Sequence, residues 1–285
     1  MNSIKLDAHA KINLTLDVTG KLDNGYHTVR MVMQSVGLHD DVTVEKTDDG
    51  QITLTCDRPY VPTDDRNLAV RAANAFFAHT GLVCPGLRID ICKRIPVAAG
   101  LAGGSTDAAA VLRALDTLFE TNLGLDTLCE IGLTLGADVP YCLRGGTMLA
   151  EGIGEVLSPL PAAPHCLVVL CKPAFAVSTA AVYAQIDDHM PDVRPDTAGM
   201  CQALAQGDYN GVCHRLYNVM EAVTAVRHAE IGQIKDILLS CGADGAAMSG
   251  SGPTTFGLFH DSDKAQAAFD RLKAIFPDTH LTEIL

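Results

Sequence analysis

The segment Pro96-Val97-Ala98-Ala99-Gly100-Leu101-Ala102-Gly103-Gly104-Ser105-Thr106 lies between a strand-like run and a helical stripe of apolar residues. Glycines let a backbone approach an anion closely, because no Cβ stands in front of the N–H donors. The N-terminus of the following helix adds roughly half a positive charge at the same point. We expect Ser105 and Thr106 to cap that helix and to offer hydroxyls to a phosphate or to Mg²⁺. The segment predicts a phosphate site, with a plain serine-capped glycine turn as the alternative.

The segment matches neither of the two common phosphate-loop patterns. The chain contains no Gly-x-x-x-x-Gly-Lys-Ser/Thr, and the glycine spacing here is not Gly-x-Gly-x-x-Gly. Taken alone, the segment supports a phosphate site and a plain turn about equally, so residues elsewhere must decide between them.

Composition excludes several classes of protein. The chain has 285 residues, 48% of them hydrophobic and 19% charged, as in globular proteins with two packed domains. A net charge of −13 argues against a nucleic-acid-binding surface, which needs a basic face. No apolar run approaches the roughly 20 residues that cross a bilayer. Ten scattered cysteines, without a Cys-x-x-Cys pair or a signal peptide, predict reduced thiols in a cytoplasmic protein without membrane partners.

Strand and helix patterns are interleaved without a regular βα alternation. This order predicts an α+β fold with two domains. The three prolines of the segment 158–164 place the expected boundary there, giving an N-terminal domain 1–158 and a C-terminal domain 159–285. Among the predicted elements are a strand over 87–92, a helix over 108–118 and a single helix over 210–223.

Further motifs decide what the glycine segment does. In chain order they are Ala8-His9-Ala10-Lys11-Ile12-Asn13-Leu14, Gly25-Tyr26-His27, Leu135-Gly136-Ala137-Asp138-Val139-Pro140 and Met248-Ser249-Gly250-Ser251-Gly252-Pro253. With the glycine segment, they resemble the GHMP kinase superfamily, which includes galactokinase, homoserine kinase and mevalonate kinase. The resemblance covers nearly the whole chain. It implies an N-terminal domain like ribosomal protein S5 domain 2 and a ferredoxin-like C-terminal domain.

The resemblance implies ATP-dependent phosphoryl transfer with Mg²⁺, and it marks Lys11 and Asp138 as catalytic. Asp138 would accept the proton of the attacking hydroxyl, and Lys11 would stabilise negative charge on the transferring group. From the residues alone, the pattern favours a turn-forming Asp138 beside Gly136 and Pro140, and a solvated charge at Lys11.

The nucleotide side is implied to include every residue of the segment 96–106. It also includes Asn67 and the neighbourhood of Lys93, next to the adenine, while Ser105 is the candidate Mg²⁺ ligand. From the residues alone, Asn67 is also a good N-cap for a helix beginning at Leu68. Ala102 stands where the superfamily commonly has a third glycine, and its methyl group disfavours a positive φ.

The substrate side is implied to include Asn13, Tyr26 and His27, with Tyr183 as a second aromatic that would enclose a cytosine ring. Gly250 and Gly252 would form a wall near the substrate phosphates. The plain alternatives are a hairpin end for Tyr26, a helix face for Tyr183 and a glycine turn for the last two. The likeness is greatest to the branch that phosphorylates the 2-hydroxyl of 4-diphosphocytidyl-2-C-methyl-D-erythritol, in the non-mevalonate route to isoprenoid precursors.

The expected partner is therefore a small molecule carrying a cytidine diphosphate group, bound by a monomer or a weak homodimer. Two alternatives stay open. The chain could be another kinase of the superfamily, acting on homoserine, mevalonate or a sugar, although Tyr26 and His27 would have no purpose there. It could also be a non-catalytic, ligand-binding member of the fold, against which Lys11 and Asp138 both count.

Overall fold

The computed structural model describes residues 2–188 and 190–285. In chain order the strands are β1 (Ser3–Lys21), β2 (His27–Lys46), β3 (Ile52–Cys56), β4 (Leu87–Cys92), β5 (Thr147–Glu151), β6 (Val156–Pro159), β7 (Leu167–Lys172), β8 (Tyr217–Asn218), β9 (Gly245–Met248), β10 (Thr255–Phe259) and β11 (Asp278–Glu283). The helices are α1 (Leu68–Thr80), α2 (Gly103–Leu118), α3 (Gly124–Leu133), α4 (Val139–Arg144), α5 (Thr179–Asp188), α6 (Thr197–Gln206), α7 (Tyr209–His214), α8 (Val219–Arg227), α9 (Ala229–Ser240) and α10 (Ser262–Lys273). The mixture of both element types confirms the α+β class.

The chain forms two compact units, each assembled from separate segments. The first unit comprises Met1–Ala10, His39–Val97 and Ala102–Gly145, and the second comprises Lys11–Leu38, Ala98–Leu101 and Gly146–Leu285. The expected division of the chain at 158/159 stays a prediction.

The first unit is a small sheet covered by helices. The end of β2 pairs antiparallel with β4, and β3 pairs parallel with β4. Inward residues alternate along β4, where Leu87, Ile89 and Ile91 are buried and the residues between them are exposed or half-buried. Helices α1 and α2 pack on each other, and their alanine-rich faces join the same core. This packing fixes the start of α2, where the glycine segment ends.

The C-terminal part of the second unit confirms the ferredoxin-like prediction. Its four strands β7, β9, β10 and β11 form an antiparallel sheet in the order β11-β7-β10-β9. With α9 before β9 and α10 before β11, the chain follows the βαββαβ pattern, with α5 to α8 as additional helices between β7 and α9. Apolar residues of α9 and α10 pack against the sheet, with Val169, Ile234, Leu238 and Phe259 fully buried.

The rest of the second unit pairs β1 with β8 and β2 with β5. Thr15 and Leu16 lie beside Tyr217 and Asn218 in a parallel pair. Strand β5 also pairs with β6, which ends at Pro159 on the sheet edge, where a residue without an N–H is tolerated.

The single helix predicted over 210–223 is wrong. The structure has α7 and α8 there, separated by the two-residue strand β8. Asn218 has an extended backbone with φ −134° and ψ 114°, and its side chain caps α8. The helical pattern of apolar residues continues across the break, so the sequence pattern did not reveal it.

Candidate active site

The glycine segment changes backbone direction at three left-handed residues. Ala98, Gly100 and Ala102 have φ values of 51°, 76° and 59°. The left-handed region costs a residue with a Cβ roughly 1 kcal/mol or more relative to glycine. The methyl group of Ala102 was expected to disfavour a positive φ. The backbone adopts this conformation at Ala102 nonetheless, so the residue is strained.

The glycines of the segment are needed for different reasons. A Cβ on Gly100 would collide with the carbonyl oxygen of Ser249, and one on Gly103 would lie 3.1 Å from Cγ2 of Ile95 and 3.2 Å from Nζ of Lys93. A Cβ on Gly104 would meet only Cδ1 of Leu68, at 3.6 Å, which is an ordinary contact. The protein itself therefore leaves open space at Gly104, at the N-terminus of a 16-residue helix. Such a position suits an approaching anion.

The predicted capping of α2 by Ser105 and Thr106 is wrong. The helix begins at Gly103, and the residue before it, Ala102, makes no side-chain cap. The Thr106 hydroxyl donates to the carbonyl of His9 at 2.8 Å, whereas Ser105 is half-buried in the first turn of the helix. The residue at the N-cap position, Ala102, has no side-chain acceptor for the first N–H groups of α2. These groups therefore suit an anion.

Lys93 lies under the start of α2 in a buried group of three charges, which we call the Lys93 triad (Asp40, Lys93 and Asp107). Its ammonium is 2.5 Å from Asp40 and 2.8 Å from Asp107, and the three residues are at most 5% exposed. The other oxygen of Asp40 accepts the backbone N–H groups of Arg94 and Ile95, at 2.6 Å and 2.8 Å. The triad thus connects the residues just before the glycine segment to the helix just after it.

Burial and charge act in opposite directions in this triad. Burial raises the pKa of Asp107 to about 7, although the Lys93 ammonium opposes the shift. Burial alone would lower the pKa of Lys93, but the charges of Asp107 and Asp40 outweigh it and raise that pKa above its usual value. Oδ1 of Asp107 has no hydrogen-bond partner within residues 2–188 and 190–285. Because its pKa is raised, the Lys93 ammonium stays charged beneath the helix end, where the two carboxylates balance it.

Asn67 adopts the cap conformation that its position before Leu68 predicted. Its Oδ1 accepts the N–H of Ala69 at 2.9 Å, and its Nδ2 donates to the carbonyl of Pro62 at 2.8 Å. The contact of Asn67 and Lys93 with adenine stays a prediction.

Lys11 is buried in the second unit and points at the glycine segment. It is 4% exposed, and its Nζ donates to Oδ1 of Asn13 at 2.7 Å and to the carbonyl of Gly100 at 3.0 Å. Its backbone N–H donates to the carbonyl of Leu101 at 3.2 Å. A buried ammonium beside this segment is not a solvated charge, so the plain alternative for Lys11 is excluded.

The Met248–Pro253 turn adjoins the same place. The N–H of Gly250 donates to Oδ1 of Asn13 at 2.9 Å, and the Ser249 hydroxyl donates to the Gly100 carbonyl at 3.0 Å. Gly250 and Gly252 have φ values of 57° and 86°, so both positions favour glycine. The second unit therefore brings together Lys11, Asn13, Gly100 and this turn.

Asp138 lies in the first unit, immediately before α4. It is half-buried, has a helical backbone with φ −80° and ψ −16°, and makes no side-chain cap. Pro140 follows within the first turn of the helix, where its missing N–H costs nothing. The segment is therefore a helix start, and the Asp138 side chain is not used to cap it.

Tyr26 and His27 end the hairpin between β1 and β2. Tyr26 is 60% exposed, whereas the His27 ring stacks on Tyr183 with centroids 4.3 Å apart. Nε2 of His27 is 2.7 Å from Asp187, which also pairs with Lys21 at 2.5 Å. The Lys21 and His27 contacts lower the pKa of Asp187. These contacts bring the predicted residues Tyr183 and His27 together in one unit.

Several residues that hold the predicted ones in place within each unit were not predicted. Asp40, Asp107, Asp187 and Asn218 carry no local sequence signal, because their partners are distant in the chain. In the first unit, Asp7, His39 and Asp41 form a group of potential metal ligands, with ligand atoms within 4.8 Å of one another. Both oxygens of Asp41 already accept hydrogen bonds from Arg94, which makes that group a poor cation site.

Comparison with known proteins places this geometry in a family. The model of the GHMP kinases N terminal domain matches residues 67–146, and that of the GHMP kinases C terminal domain matches residues 200–278. A 4-diphosphocytidyl-2-C-methyl-D-erythritol kinase from Clostridium perfringens is 45% identical over 284 residues, covering 99% of this chain and 98% of its own. The protein of the same name from Acetivibrio thermocellus is 47% identical over 273 residues, covering 96% of each chain.

Solved structures agree with these matches. A crystal structure of 4-(cytidine 5'-diphospho)-2C-methyl-D-erythritol kinase superimposes with a TM-score of 0.82 at 33% identity, covering 99% of both chains. Homoserine kinase from Cytophaga hutchinsonii superimposes with a TM-score of 0.77 at 20% identity, covering 100% of this chain and 95% of its own, which shows a shared fold. Among residues 2–188 and 190–285, no helix combines the length and the apolar character needed to cross a membrane.

Proposed function

The chain belongs to the GHMP kinase family, and we propose that it transfers the γ-phosphoryl group of ATP to the 2-hydroxyl of 4-diphosphocytidyl-2-C-methyl-D-erythritol. Two relatives that are 45% and 47% identical over nearly their full lengths carry the name of that kinase. The observation that carries the proposal is the buried ammonium of Lys11, 3.0 Å from the Gly100 carbonyl within the glycine segment. The reaction supplies a phosphorylated alcohol to the non-mevalonate route to isoprenoid precursors.

The phosphates of ATP bind at the segment 96–106. The open backbone at Gly104 and the N-terminus of α2 supply N–H donors and partial positive charge. Phosphoryl transfer depends on positioning and charge neutralisation, so these groups need form no covalent bond. The adenine lies towards Asn67 and Lys93.

Lys11 and Asp138 are the catalytic residues of the proposal. Asp138 accepts the proton of the 2-hydroxyl as that oxygen attacks the γ-phosphorus. Lys11 stabilises the negative charge that develops on the transferring group, and its place is fixed by Asn13 and the Gly100 carbonyl. Each role agrees with the structure described above: a buried, held ammonium and a carboxylate that caps no helix.

Mg²⁺ fits the site through the hydroxyl of Ser105. That residue is half-buried in the first turn of α2 and next to the open position at Gly104. Mg²⁺ takes few protein ligands and keeps water and phosphate oxygens, and the Ser105 hydroxyl would be one of its ligands. When bound, the ion neutralises phosphate charge during transfer.

The cytidine diphosphate group of the substrate binds at Asn13, Tyr26, His27 and Tyr183, with Gly250 and Gly252 beside its phosphates. The ring of Tyr26 is exposed and offers a face on which the cytosine ring can stack. Such stacking is available to every nucleobase. The net charge of −13 argues against nucleic acid as an alternative partner. We propose a cytoplasmic enzyme that is a monomer or a weak homodimer.

ADP release with three acceptors tests the proposal. The purified chain is given ATP, Mg²⁺ and either 4-diphosphocytidyl-2-C-methyl-D-erythritol, homoserine or mevalonate. We expect turnover with the first acceptor alone, and inhibition by CMP or CDP in competition with that acceptor. Turnover with homoserine or mevalonate in its place would assign the chain to another branch of the family.

A further inference from the structure

Asn218 is a fully engaged, buried amide in the second unit. It is 2% exposed and lies on β8, which pairs with β1 two to five residues after Lys11 and Asn13. Its Nδ2 donates to the carbonyls of Met248 and Gly250, both at 2.8 Å. Its Oδ1 accepts the N–H of Met220 at 2.9 Å and so caps α8. One side chain therefore joins a helix start to the turn over 248–253.

Two further hydrogen bonds connect this turn to Lys11. The carbonyl of Gly250 is held by Asn218, and the N–H of the same residue donates to Oδ1 of Asn13 at 2.9 Å. That oxygen also accepts from Nζ of Lys11 at 2.7 Å. Gly250 is packed closely here, since a Cβ on it would lie 3.3 Å from Nζ of Lys11. The position of the ammonium thus depends on the position of Gly250.

Helix capping alone does not explain an asparagine at this position. Asp196, Asp208 and Asp261 cap three other helices of the same chain, each accepting backbone N–H groups through a carboxylate oxygen. An aspartate would serve the start of α8 equally well, since it accepts the same hydrogen bond. Only the amide can also donate two hydrogen bonds to carbonyl oxygens. The Nδ2 group is therefore what distinguishes Asn218 from an ordinary cap.

We propose that Asn218 is a positioning residue for catalysis, which holds Lys11 in place through Gly250 and Asn13. The inference rests on the proposed function, because it assigns Asn218 to the step in which Lys11 acts. Asn218 itself needs no contact with either substrate. Its effect should include a fall in kcat, because a misplacement of about 1 Å in a catalytic group costs on the order of 10²-fold in rate.

Asn218→Asp separates the two roles of the side chain. The variant keeps the acceptor that caps α8 but turns a carboxylate oxygen towards the carbonyls of Met248 and Gly250. We expect kcat to fall roughly 10- to 100-fold at pH 8, with KM for ATP within about threefold of the wild-type value. Lowering the pH to 6 should restore part of the loss relative to wild type, because protonation of the introduced carboxyl returns one donor.

Asp208→Asn is the matched control, since it exchanges the same two residue types at the cap of α7. It should keep the kcat of the wild type. If Asn218→Asp does not fold, Asn218→Ser is judged by the same criterion, because its hydroxyl can cap α8 without burying a charge. A kcat within twofold of wild type, or a change confined to KM, would overturn the inference. A wild-type enzyme inactive on 4-diphosphocytidyl-2-C-methyl-D-erythritol would instead overturn the proposed function.

Discussion

Asp107→Asn tests the account of the Lys93 triad through the pH dependence of stability. Burial raises the pKa of Asp107 from 3.8 to about 7 in the folded state. Between these values the folded chain retains a proton that the unfolded chain has released, so the free energy of unfolding falls as pH rises. The slope is at most about 1.4 kcal/mol per pH unit, which gives roughly 4 kcal/mol across the window. Above about pH 7 the group contributes no further change.

The substitution removes this titration but keeps the size of the side chain. Across pH 5 to 8 its cost in stability should therefore be greatest at pH 5 and should shrink by roughly 2 to 3 kcal/mol by pH 8. Urea unfolding at pH 5, 6, 7 and 8, followed by circular dichroism, measures the difference from wild type at each pH. Asp126→Asn, which removes the same charge from a side chain that is 88% exposed and pairs with Arg144 at the surface, is measured in parallel as the control. A constant cost for Asp107→Asn would refute the raised pKa.

Three other predictions concern the glycine segment and the thiols. Ala102→Gly should stabilise the chain by roughly 0.5 to 1 kcal/mol in urea unfolding, because φ there is 59°, and an equal or lower stability would contradict the strain. Gly100→Ala should destabilise the chain by roughly 2 kcal/mol or more, since its Cβ meets the Ser249 carbonyl. Gly104→Ala should unfold like wild type, because its Cβ has space, but it should bind ATP at least several-fold more weakly, as calorimetry can measure. Burial raises the pKa of the Cys166 thiol to about 12, so iodoacetamide at pH 8 should label exposed Cys92 well before it, as mass spectrometry can measure. Faster labelling of Cys166 would show that it is accessible.

The sequence predicted those elements that depend on residues close to one another in the chain. The cap at Asn67 was predicted from the residue itself and the apolar positions that follow it, and the structure has the same hydrogen bond. The ferredoxin-like order of strands followed from the family resemblance. By contrast, the break between α7 and α8 depends on the pairing of Asn218 with Leu16, about 200 residues away, and no local pattern contains that information.

The sequence predicted several residues of the candidate site, but not the contacts that position them. Lys11 and Asn13 were expected on the reacting side, and the structure joins them at 2.7 Å. Lys93 was expected near adenine because of its place in the family pattern. Its two carboxylate partners come from β2 and α2, 53 and 14 residues away, and they draw its ammonium beneath Gly103. Only the folded arrangement could show that Gly103 is a glycine because Lys93 and Ile95 pack against it.

Phosphorus NMR of the product tests the central claim most directly. The chain is incubated with ATP, Mg²⁺ and 4-diphosphocytidyl-2-C-methyl-D-erythritol, in parallel with Lys11→Ala and Asp138→Asn. We predict one new phosphomonoester signal without three-bond proton coupling, because the 2-carbon of the methylerythritol group carries a methyl group and no hydrogen. It forms with wild type and at least 10²-fold more slowly with either variant. Phosphate on another hydroxyl, no transfer by wild type, or unchanged transfer by both variants would contradict the account.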